Sequence, residues 1–323
     1  MPMIYHSNNA CALLYRPKCT ISLDWRWLLP IFVLSMSVAT ASESIDSRSS
    51  IRRRDGENNG LVQLPSADFF ALITDTVNGQ GSFRCGGSLI HSDIVLTASF
   101  CATRGDILRI GYHNDTYAKA IRTAEFVFNH PNAGGNSENF PNDLAVIKLD
   151  APVDNVIPLE LNSDNFNPLT NFQDSWVAHA GAVPDVWPRN FTIGSVPLAR
   201  TFSTELRIVS QLTFPFRSCL NRYRSHRMPI YRSDPDRSVQ FCATTSPVDG
   251  PCDSAAWGSP MWNFGRNGLS TIPIQIGIAS QGSCTIGNPP YLYTQINRYV
   301  SWIHGQICQL SEEPPEFCNE EDE

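Results

Sequence analysis

The sequence predicts an all-β protein closed by one helix at its C-terminal end, and three observations carry this. Short apolar runs follow one another from Phe69 onward, separated by turn-forming Gly, Pro, Asn, Asp and Ser. Ile272, Ile274, Ile276 and Ile278 alternate with Pro273, Gln275 and Gly277, the two-residue period of a strand with one buried face. Ile296, Tyr299, Val300, Ile303 and Ile307 recur at helical spacing, so an amphipathic helix is expected over 296–308.

The N-terminal part reads as a targeting segment. Trp27 to Val38 are almost all apolar, follow Arg16, Lys18 and Arg26, and run into Ala39-Thr40-Ala41, a small-residue cleavage pattern. A signal peptide over 1–41, cut after Ala41, is expected. The run falls short of the roughly 20 residues that a membrane span needs. Residues 42–60 are polar around Arg52-Arg53-Arg54 and read as a pro-segment or linker. The folded domain is expected over 61–308, with strands at Phe69–Ile73, Ile94–Leu96, Leu144–Ile147 and Leu206–Leu212. Residues 309–323 carry most of the C-terminal carboxylates and are expected to be a solvated acidic tail.

Composition bounds the function. With 42% hydrophobic residues the chain has enough apolar material for a sizeable core. The net charge of −7, the lack of an evident basic stripe and the absence of a zinc-finger or phosphate-loop pattern argue against nucleic-acid binding. No motif implies a metal or a cofactor. Removal of 1–41 leaves eight cysteines, an even set that implies disulfides in a secreted chain. Spacing alone does not select their pairing. Asn114-Asp115-Thr116 and Asn190-Phe191-Thr192 are glycosylation acceptors by pattern.

Several segments, in order, resemble the trypsin and chymotrypsin family of serine proteases from about Leu61 to Ile307. Cys85-Gly86-Gly87-Ser88 with Leu96-Thr97-Ala98-Ser99-Phe100-Cys101 is similar to the family's catalytic-histidine segment. Asn142-Asp143-Leu144-Ala145-Val146 is similar to the catalytic-aspartate segment, and Gly277 to Gly282 to the substrate-binding strand. Pro290 to Thr294 and Trp302-Ile303 match the closing segment. The resemblance implies two antiparallel six-stranded barrels, about 61–176 and 177–295, followed by the helix. It also implies the disulfides Cys85–Cys101, Cys219–Cys242 and Cys252–Cys284, and leaves Cys308 to pair with Cys318.

The same resemblance exposes a set of departures. The family's chemistry needs a hydroxyl nucleophile, an imidazole to relay its proton and a buried carboxylate to orient the imidazole. Asp143 stands at the carboxylate position, but Phe100 stands where the histidine belongs, and a phenyl ring accepts no proton. The nucleophile segment, Cys252 to Pro260, is one residue longer than the family pattern. Counted forward from Cys252 the nucleophile position is Ala256; counted back from Pro260 it is Trp257. Asp253-Ser254 supplies the serine only if gaps are placed on both sides of it.

The activation and specificity positions depart as well. Active members bury a new Ile-Val N-terminus against the aspartate preceding the nucleophile, a buried pair that is kept or lost together. Here Arg54 is followed by Asp55-Gly56, and the aspartate position is alanine in either register. In the specificity pocket Gly250 stands at the selecting position, with Asp249 one residue away and the register left open by the insertion, Gln281 replaces the aromatic wall beside Gly282, and Tyr291 replaces a pocket-lining glycine. Expected from all of this is a secreted, extracellular, non-catalytic homologue that works by binding a protein partner, such as a protease or a protease substrate, as a cofactor, decoy or adaptor. The alternative is a divergent serine endopeptidase with a relocated nucleophile such as Ser254.

Overall fold

A computed structural model describes residues 66–74, 83–114, 116–134, 140–163, 174–184, 200–225, 234–244, 257–264, 272–281 and 290–319. The signal and pro-segments, Ala41, Asn190, Gly250, Cys252, Ser254, Ala256, Gly282 and Cys284 lie outside the described residues. Six strands close the first barrel: β1 (Phe70–Thr74), β2 (Phe83–His91), β3 (Ile94–Thr97), β4 (Ile107–Ile110), β5 (Ala120–Asn129) and β6 (Ala145–Leu149). Around the barrel they run β1-β2-β3-β6-β5-β4. The short β7 (Glu160–Leu161) then leaves this barrel and pairs in parallel with a strand of the second.

The second barrel is built from β8 (Asp174–Pro184), β9 (Arg200–Thr213), β10 (Gln240–Thr244), β11 (Pro260–Asn263), β12 (Ile274–Gln281) and β13 (Tyr291–Gln295). Its order is β11-β8-β9-β10-β13-β12, and the β11–β12 pairing closes it. Closure leaves neither sheet with an open edge of unpaired backbone groups. Between β9 and β10 lies α1 (Phe216–Ser225), a helix that the apolar runs of the sequence do not announce. Its signal is short: Pro215 before it, then buried Cys219 and Tyr223 four residues apart.

The C-terminal helix α2 (Val300–Leu310) explains why β3 and β6 are buried along their whole length. Ile303 and Ile307 share one core cluster with Ile94, Leu96 and Val146, so the strands are covered by the barrel interior on one side and by the helix on the other. Each such side chain contributes about 1.5–3 kcal/mol by leaving water. The helix begins later than its apolar spacing predicts. Ile296–Arg298 form a 3-10 turn, and Tyr299 breaks the helix there with φ −122° and ψ 3°.

Two further expectations change. Ile272 is 49% exposed and precedes β12, whereas Gln275 and Gly277 are buried together with Ile276 and Ile278. β12 therefore has two covered faces, because it packs on the second barrel's interior and on the first barrel. The acidic tail, expected to be solvated from 309, is anchored at its start. Ser311 Oγ and the Glu312 backbone N–H donate to Asp93 at 3.0 and 2.9 Å, and a disulfide joins Cys308 to Cys318. Two more disulfides join Cys85 to Cys101 and Cys219 to Cys242.

Candidate active-site region

The region lies where the C-terminal end of β3, the start of β6, the start of β11 and the end of β12 meet. Asp143 is fully buried. Its Oδ1 accepts from the Ser99 backbone N–H at 2.8 Å and from Ser99 Oγ at 2.6 Å, and its Oδ2 accepts from Ser280 Oγ at 2.5 Å. Burial pushes the carboxyl above its ordinary pKa, and the Ser280 and Ser99 donors only partly offset this. Thr294 Oγ1 on β13 donates to the Asp143 carbonyl at 2.9 Å. The carboxylate thus ties the first barrel to the second.

The loop into Asp143 is held in an unusual conformation. Phe140 and Asn142 have φ of 43° and 60°, the left-handed region that suits asparagine and strains a bulky residue. Tyr299 OH donates to Asn142 Oδ1 at 2.8 Å, which fixes the turn from the residue that precedes α2. The result turns the Phe140 ring outward, 44% exposed.

Phe100 takes no part in the hydrogen bonds to Asp143. It is 41% exposed and packs edge-to-face on Trp257 at 4.9 Å between ring centroids, with Phe140 at 6.4 Å. Such aromatic pairs add about 0.5–1.5 kcal/mol beyond their buried area. Trp257 is fixed by its backbone, since its carbonyl accepts from the Gly86 N–H at 2.8 Å. The next residue, Gly258, has φ 76°, and a Cβ there would lie 2.3 Å from the Gly86 carbonyl. Only glycine fits that turn. Trp257 is the nucleophile position in the register counted back from Pro260, and the structure brings its ring against Phe100.

Among the described residues no histidine hydrogen-bonds to Asp143. His91 is bonded to Asp93 at 2.9 Å, and His130 packs edge-on against Tyr299 and Trp302. His179 is buried in the second barrel with neither ring nitrogen hydrogen-bonded, and burial beside Arg207 pushes its pKa down to about 4. At the specificity positions, Gln281 is buried with no hydrogen bond to its amide. Tyr291 packs in a cluster with Val177, Phe241, Met261 and Ile276. Asn114 lies in a turn and accepts from Thr116 Oγ1 at 2.7 Å, with Thr116 exposed. Ser99 and Phe140 were not singled out from the sequence. The only signal for Ser99 was its place directly before Phe100.

The comparisons with known proteins agree with this fold. The family model Trypsin matches residues 70–303. Serine protease 28 of Mus musculus is 25% identical over 296 residues, which cover 87% of this chain and 98% of that protein. Trypsin, alkaline C of Manduca sexta is 27% identical over 260 residues, covering 77% of this chain and 88% of that one. Among solved structures, neuropsin, a serine protease expressed in the limbic system of mouse brain, matches with a TM-score of 0.56 at 22% identity. That match covers 75% of this chain and 95% of neuropsin. With two closed barrels, a C-terminal helix and a family match over most of its length, the chain belongs to the trypsin family of serine proteases.

Proposed function

We propose that this chain is a secreted, catalytically silent member of its family that acts by binding another extracellular protein, as a cofactor, decoy or adaptor. The observation that carries the proposal is the edge-to-face contact of Phe100 with Trp257. Phe100 stands at the general-base position that the family resemblance implies and Trp257 at the nucleophile position in the register counted back from Pro260, and neither ring can exchange a proton. The retained Asp143 has its carboxylate oxygens engaged by serine hydroxyls, so it keeps a structural use without an imidazole. Phe100, Phe140 and Trp257 form a half-exposed aromatic surface of the kind enriched in binding hot spots.

The test has two arms. The full chain, with or without cleavage at Arg54, is exposed to a fluorophosphonate probe, and recovery of partners from the native extracellular fluid is compared with that of a Phe100→Ser/Trp257→Ser variant. No labelling, with a partner recovered by the native chain and lost by the variant, is the expected result. Labelling that disappears in Ser254→Ala would replace the proposal with the divergent endopeptidase.

A further inference from the structure

Charge is distributed unevenly along this acidic chain, and one local cluster of arginines departs from the lack of a basic stripe expected above. Six of its 24 Lys and Arg residues lie between Arg217 and Arg237, a stretch with only two acidic residues, Asp234 and Asp236. The rest of the chain therefore carries more than the whole net negative charge. The structure gathers four of the six on α1 and the segment that leads into β10. Arg217, Arg222 and Arg224 are exposed on the helix, and Arg237 is exposed beside it.

Helix stability explains part of this arrangement only. Arg222 and Arg224 lie in the last turn of α1, where cations suit the helix dipole. Arg217 is the second residue of α1, in a first turn that holds no acidic residue, where a cation opposes the dipole. Arg217 and Arg224 are seven residues apart on one helix face, about 10 Å along the axis. Arg224 is set in place by Asp234, with the Arg224 Nε 3.0 Å from Oδ1.

The apolar content of the surface narrows what could bind it. Arg222 lies over the Phe214 ring at 4.6 Å from its centroid, and Arg237 over Phe216 at 5.9 Å. Phe214 is buried, and both rings are roofed by guanidinium groups. Protein interfaces draw their affinity from an apolar core of anchor residues, and among the described residues this surface exposes none. With the Arg224 fork held by Asp234, it offers the exposed guanidinium groups of Arg217, Arg222 and Arg237, a chemistry suited to contact with oxyanions. We propose that α1 and the Asp234–Gln240 segment form a docking site for a sulfated polysaccharide, separate from the aromatic surface at Phe100.

Heparin is the probe, applied to the full chain by affinity chromatography and by titration over a series of NaCl concentrations. The native chain is expected to be retained despite its net charge of −7. Arg217→Glu is expected to lower affinity about tenfold and to reduce the slope of log K against log salt by at least about one, since counterion release governs any dense polyanion. Arg104→Glu, the same charge change on the first barrel, serves as control, and Arg217→Gln guards against misfolding by charge reversal. Retention lost in both Arg217 variants and kept in Arg104→Glu supports the site. No retention of the native chain, equal loss in the Arg104 control, or poly-glutamate binding as tightly as heparin overturns it.

Discussion

Ser99 Oγ donates to Asp143 Oδ1 at 2.6 Å, so the carboxylate is satisfied by the residue directly before Phe100. A buried carboxylate with an unmade hydrogen bond is costly, and this serine removes that cost in a chain that has no imidazole at Phe100. Ser99→Ala is therefore expected to destabilise the fold by about 1–3 kcal/mol. Asp143→Ala is expected to cost more, because Ser99 and Ser280 both lose a buried acceptor. Denaturant titration checks the order: Ser99→Ala within about 0.5 kcal/mol of the native chain contradicts it.

The aromatic contact leads to a prediction of a different kind. Phe100 is 41% exposed, so Phe100→Ala forfeits only part of the area that a core phenylalanine buries, and its cost is expected to be about 1–2 kcal/mol, below the roughly 3–5 kcal/mol of a fully buried one. A double-mutant cycle with Trp257→Ala is expected to give a coupling of about 0.5–1.5 kcal/mol. Phe100→His alone is expected to yield no hydrolysis of peptide esters, because Trp257 supplies no hydroxyl and Ser99 already occupies Asp143. Measurable turnover by Phe100→His would show that a nucleophile stands within reach.

The strands were legible because barrel walls alternate or run fully apolar, and β1, β3 and β6 begin or end within a few residues of the predicted runs. Where several contacts decide, the sequence was less informative. Ile296 has the right spacing for α2, yet the turn at Tyr299 delays the helix. Ile272 keeps the strand period but lies outside β12. The serine partners of Asp143 come from β12 and from the residue before Phe100, and hydroxyl roles of this sort appear only once distant segments meet. The glutamates of the tail suggest solvation, while Asp93, far away in sequence, holds Ser311 and Glu312 in place.

His179 sets a pH dependence whose sign is fixed by its burial. Its folded pKa of about 4 lies below the ordinary 6.5, so below pH 6.5 the unfolded chain binds the proton that the folded chain refuses. Stability from this group is full above pH 6.5 and is lost as pH falls to about 4, a change of about 3 kcal/mol. His179→Leu is expected to flatten that window. Unfolding midpoints measured at pH 7, 5.5 and 4 decide it: the same decline in both proteins would remove His179 as the cause.

Asp93 is expected to latch the C-terminal segment to the first barrel. Burial pushes its pKa up, but the Lys148 ammonium at 2.8 Å, the Glu312 N–H, His91 and Ser311 together hold it down at about 2. Its contribution is present above the ordinary 3.8 and is lost as pH falls through about 2. Asp93→Ala leaves the Lys148 ammonium, itself buried, with only the exposed Glu312 side chain, so a loss of about 3–5 kcal/mol is expected. Glu312→Gln removes that exposed carboxylate but keeps the backbone N–H bond to Asp93, and is expected to cost no more than about 1 kcal/mol. Hydrogen exchange separates the two. Amides of 311–319 should exchange faster in Asp93→Ala and at the native rate in Glu312→Gln, whereas equal acceleration in both would move the latch from Asp93 to the Lys148–Glu312 pair.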